Sequence, residues 1–171
     1  LGDTGAEDAV SHLIEKLVDD ESDIQVEAAV SLGKLKYQRG IEALFSALDS
    51  KDNRVIISAV RALGDISGEE VKNRLYEKLK SSTNKLLLPT LIESLSRLED
   101  IRAVRPALET INLYKSPVIR FQLLNATCRA LGAKNLFYEL FSKDELTLAE
   151  HLYRIGRQIG KQLRKIPLDK E

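Results

Sequence analysis

Apolar residues recur along the chain in helical steps, and the pattern is itself repeated. IQVEAAVSLG (residues 24–33) and VIISAVRALG (residues 55–64) share an alanine five positions before the glycine and a leucine directly before it. Leu1-Gly2, Leu32-Gly33 and Leu63-Gly64 are spaced by 31 residues. After each glycine come a few polar residues and then a second apolar series in register: Leu13, Ile14 and Leu17; Leu44, Phe45 and Leu48; Leu75, Tyr76 and Leu79. Steps of three and four mark one face of a helix, so each unit predicts two short helices joined by a turn. A fourth unit keeps the register with Ser96 in the glycine position and Ala107, Leu108 and Ile111 behind it. A fifth, LLNATCRALG (residues 123–132), follows an insertion around Leu113 to Pro117, and its second helix is expected from Asn135 through Phe141. The glycines predict left-handed helix ends, and Asp8, Asn53 and Asn135 are candidate N-caps.

Two short helices cannot bury both apolar faces alone, so the hairpins must stack. The expected fold is all-α: a right-handed superhelical α-solenoid of about five hairpins over residues 1–145, with an amphipathic helix and tail over 146–171. In TLAEHLYRIGRQIGKQLRKI (residues 147–166) the apolar stripe is Leu148, Leu152, Ile155, Ile159, Leu163 and Ile166, with Gly156 and Gly160 beside it. This segment is expected to cap the last hairpin against Leu136, Leu140 and Phe141. Its basic face, Arg154, Arg157, Lys161, Arg164 and Lys165, is the one candidate for membrane contact or for a second copy. The A-x-x-x-L-G spacing and the short period resemble HEAT-like repeats of the phycobilisome-lyase type over about residues 1–141. That resemblance implies that Leu1-Gly2 closes a helix whose body lies upstream. The absence of methionine even at position 1 likewise predicts a piece of a longer polypeptide.

Composition narrows the chemistry. Lys plus Arg and Asp plus Glu are both 26, so the net charge is zero and no nucleic-acid partner is expected. The single cysteine, Cys128, excludes an intrachain disulfide, fits a cytoplasmic setting, and occupies the place of Val60 as a small buried residue. His12 and His151 read as solvated flanks of amphipathic helices. Neither a nucleophile motif nor a metal-ligand spacing occurs, so no catalytic residue, metal or cofactor is expected. Glu69-Glu70 favour the positive end of a helix, and Pro89 and Pro106 fall near helix starts.

Charge distribution says more than its sum. Residues 1–50 hold 4 basic and 11 acidic side chains, residues 101–171 hold 13 and 7. Arg74, Lys78, Arg102 and Arg105 sit at exposed second-helix positions of successive units and are expected to form a basic strip on the concave face. Aromatics interleaved for base stacking are not expected there. The reading is a non-catalytic protein-interaction scaffold whose partner is acidic. The resemblance implies a second reading, a bilin-lyase-type or phycobilisome-associated subunit. A third, a nucleic-acid-binding HEAT-like protein, is opposed by the neutral charge and by the absence of tryptophan.

Overall fold

The computed structural model describes residues 4–111 and 113–132, and within them every regular element is helical. The helices are α1 (Thr4–Lys16), α2 (Ser22–Leu35), α3 (Ile41–Ser46), α4 (Asn53–Asp65), α5 (Glu69–Ser81), α6 (Leu88–Arg97), α7 (Val104–Ile111) and α8 (Pro117–Ala130). Short 3-10 turns, Gln38–Gly40, Ala47–Asp49 and Ile101–Ala103, flank α3 and precede α7. Leu1-Gly2, the second helix of the fifth unit, His151, Asn135 and the amphipathic segment 147–166 with its five cations lie outside the described residues.

Helices α2/α3, α4/α5 and α6/α7 are the predicted hairpins, with α1 the second helix of the unit before and α8 the first helix of the unit after. The even-numbered helices pack in series, α2 on α4, α4 on α6 and α6 on α8, and the odd-numbered helices form a second layer. One apolar core runs between the layers. Leu32, Leu44, Leu63, Leu75, Leu91, Leu95, Leu123 and Leu124 are all fully buried in it. The chain is therefore an α-solenoid, as its period requires.

The glycines do something other than expected. Gly33 and Gly64 lie inside the last turns of α2 and α4, and neither is left-handed. The left-handed residue after α2 is Lys36, and α4 ends on extended Ile66. A Cβ on Gly33 would stand 2.7 Å from the Ala62 Cα, and one on Gly64 would stand 2.6 Å from the Ser94 Cβ. These glycines let neighbouring even-numbered helices touch backbone to backbone. Only Gly132, with φ of 66° beyond α8, serves as the left-handed stop. Its neighbour Leu131 is half-buried, unlike fully buried Leu32 and Leu63.

The odd-numbered helices do not approach one another in this way; long side chains bridge the space between them. The two layers therefore differ in kind: the even one is closed by close backbone contact, the odd one by side chains.

Two N-cap expectations shift. Asp8 lies within α1, and the cap of α4 is Asp52 rather than Asn53. The Asp52 carboxylate accepts from the Arg54 backbone N–H at 2.8 Å and from its guanidinium at 2.7 Å, and Arg54 also reaches Asp23 of α2 at 2.6 Å. Hydrogen bonds from the Arg54 side chain, then its amide, hold the Asp52 carboxyl down at about 2, against an ordinary value of 3.8. A depressed carboxyl stabilises the fold above its unfolded pKa, and that contribution is lost as the pH falls from about 4 toward 2. Asp52→Asn is expected to flatten this acid limb in pH-dependent melts, while leaving the profile above pH 5 parallel to that of the parent.

Candidate functional site

The wide spacing of the odd layer leaves a groove at each step along it. The first, of about 610 Å3, is lined by residues of α1 and α3 and by the start of α4. Next comes one of about 530 Å3 between α3 and α5, lined by Phe45, Asp49, Arg74 and Lys78. The third, about 430 Å3 between α5 and α7, is lined by Tyr76, Lys80, Arg102, Arg105 and Glu109. All four residues of the expected basic strip therefore line grooves on one layer. That layer is the one formed by the second helices of the hairpins.

The strip is not a row of free cations. Arg74 on α5 pairs with Glu42 of α3 and, at 3.5 Å, with Glu70 of its own helix, and its guanidinium lies 3.6 Å from the centre of the Phe45 ring. Lys78 reaches Asp49 at 3.4 Å. Arg102 stands in the 3-10 turn rather than on α7. It pairs with buried Asp100 at 2.6 Å, donates to the Asn73 side chain at 2.8 Å, and covers Tyr76 at 4.8 Å. Its hydrogen bonds to Asp100 hold the guanidinium pKa above the ordinary value. These three side chains are only about one-third exposed and knit one hairpin to the one before. Arg105 differs: it is 85% exposed and, among the described residues, pairs only with Glu109 on its own helix, at 3.0 Å. Lys80, exposed beside it in the third groove, pairs with Glu77 at 3.4 Å.

The sequence reading placed Phe45 and Tyr76 in the apolar series and expected no aromatics among the cations, yet both rings lie against the strip. Phe45 and Tyr76 occupy equivalent positions 31 residues apart, and each is capped by an arginine from the following unit. The repeat alignment carried the signal, because both second-helix series place an aromatic after the same leucine. Both rings have one face taken by guanidinium.

The remaining candidates fall where expected. Cys128 is buried on α8, and burial pushes its thiol up to about 11. His12 is exposed on α1, with its Nδ1 3.9 Å from Glu15. Among the described residues no cluster of His, Cys, Asp and Glu has the arrangement of a metal site, and no helix is long and apolar enough to cross a membrane.

Comparison with curated proteins finds no match. A family model does match: that of HEAT repeats, over residues 10–96, just over half of the 171-residue chain. The matched span runs from α1 to the end of α6, the part in which the period of 31 to 32 residues is unbroken. By its repeat, its stacked hairpins and this match, the chain belongs to the HEAT repeat family.

Proposed function

We propose that the chain is a non-catalytic scaffold that holds a protein partner along its odd-numbered layer. HEAT repeats generally mediate protein interactions. The observation that carries the reading for this chain is the series of grooves at successive repeats, a surface shaped to take an extended or helical segment. In this reading Arg74, Lys78 and Arg102 shape the groove walls, while Arg105 with Lys80 offers positive charge to an acidic stretch of the partner. The finer placement among phycobilisome-lyase-type repeats rests on the A-x-x-x-L-G spacing and the short period.

Capture from a native extract, compared between the parent and a Lys80→Glu/Arg105→Glu variant, tests the proposal. Partners held by the parent should be lost from the variant and kept by Lys34→Glu/Lys36→Glu, two reversals on exposed lysines at the end of α2. Identical partner sets for parent and Lys80/Arg105 variant would remove the third groove from the binding surface. The choice of Lys80 and Arg105 matters, since reversing Arg74 would also break its pairs with Glu42 and Glu70 and its contact with Phe45.

A further inference from the structure

The opposite end of the odd layer carries a groove of different chemistry. Its floor is Leu17, Ala47 and Val55, all buried, and its sides are half-buried Ile14 and Ala43. At the lip stands Val18, 81% exposed, in the turn that follows α1. Such an open apolar cleft leaves surface in water that a partner's side chains would cover at a gain of about 25 cal/mol per Å2.

The charge around the cleft limits what can enter. Glu15 and Asp49 line it, and Asp20 and Glu21 follow Val18 in the turn to α2. Two nearby cations are already engaged, Lys16 with Asp19 at 3.0 Å and Lys78 with Asp49 at 3.4 Å, and exposed Lys51 adjoins the lining residue Ser50. Among the described residues Glu15 has only the His12 ring, at 3.9 Å. Glu15, Asp20 and Glu21 outnumber Lys51, so an occupant bringing its own carboxylates would meet an excess of negative charge, and one bringing Lys or Arg would meet attraction.

We propose that the α1/α3 groove takes apolar side chains of a partner protein segment whose flanking residues are Lys or Arg, in the manner of an amphipathic helix laid in a groove. The proposal rests on the reading of the odd layer as a binding surface, but its residues are separate from Lys80 and Arg105, so loss of one groove's binding is distinguishable from loss of the other's.

Fluorescence anisotropy with the full chain tests it. The probe is a labelled helical peptide of leucine and lysine alone, with a leucine-glutamate counterpart as control. The lysine peptide should bind at least about tenfold tighter than the glutamate peptide, and added salt should weaken it. Ser46 is exposed on α3 and lines the groove, so Ser46→Arg fills the cleft with a cation from the surface side. That variant, and separately Glu15→Lys/Glu21→Lys, should each cost about tenfold in affinity, with circular dichroism confirming that the helices persist. Val18→Ser, at the exposed lip, gives a milder variant with a several-fold loss expected. Lys80→Glu/Arg105→Glu should leave binding of the peptide unchanged. Equal affinity for the two peptides, or binding indifferent to the Ser46 and Glu15/Glu21 variants, would overturn the assignment. Tighter peptide binding after reversal of Arg154, Arg157 and Lys161 in the full chain would identify the chain's own tail as the occupant and overturn the assignment to a partner.

Discussion

Leu63→Ala is expected to lower the free energy of unfolding by about 2–5 kcal/mol, the range for removing a large aliphatic side chain from a packed core. Leu63 is fully buried on α4, the helix that packs against both α2 and α6. A cavity there loosens two interfaces between hairpins, and neither neighbour can collapse into it without giving up its own packing. Leu35, which follows the equivalent Leu-Gly pair on α2 by two residues, is 41% exposed. Leu35→Ala should therefore cost well under about 1 kcal/mol, as most surface substitutions do. Urea melts followed by circular dichroism measure both. A Leu63→Ala loss below about 1 kcal/mol would contradict the register that places this leucine between hairpins.

The second large effect is expected at the helical glycines. Glycine in a helix interior is about 1 kcal/mol worse than alanine, so the bare propensity predicts that Gly33→Ala stabilises α2. Packing opposes this. The new Cβ would fall 2.7 Å from the Cα of Ala62 and 2.9 Å from its Cβ, a conflict with backbone that no rotamer change relieves. Overpacking of this kind costs typically about 1–3 kcal/mol, and a larger side chain forces the helices further apart. Gly33→Val should thus be destabilising by about 3 kcal/mol, and Gly33→Ala should be destabilising despite its better propensity. At Gly64 the added Cβ meets the Ser94 Cβ at 2.6 Å and its Oγ at 2.8 Å, and that hydroxyl donates to the buried Val60 carbonyl at 3.0 Å. Gly64→Val should therefore also strip a buried hydrogen bond between α4 and α6. Stabilisation by Gly33→Ala in thermal melts would show that the helices separate freely at this point.

The period explains why so much of the architecture was legible. Hydrogen bonds and ion pairs between hairpins join residues about one repeat apart: Arg54 to Asp23, Asn84 to Asn53, Arg97 to Asp65 and Arg102 to Asn73. Each unit meets its neighbour in nearly the same way, so aligning the sequence with itself is close to superposing the hairpins. The fourth unit illustrates the point. Ser96 replaces the glycine, is fully buried, and turns its hydroxyl back to the Ile92 carbonyl of its own helix at 2.8 Å.

The site was less legible, for a physical reason. Position within a repeat says which side chains leave the core. It does not say whether a neighbouring hairpin brings up an opposite charge. Arg74, Lys78, Arg102 and Arg105 look alike in the sequence, yet three bridge hairpins and one projects into solvent. The apolar groove beside Val18 was likewise invisible, because its residues come from four helices and the turns between them and share no spacing.

Among the described residues the sequence by itself determined the helices, the length of each hairpin, most of the buried leucines (Leu131 excepted) and that the units stack, since periodic burial of apolar faces leaves no other arrangement. Only the tertiary structure decided what the glycines are for and which cations are paired between hairpins. Both follow from the distance between neighbouring helices: contact at Gly33 and Gly64 closes the even layer, and the room left in the odd layer is what Arg74 and Arg102 span and the grooves occupy.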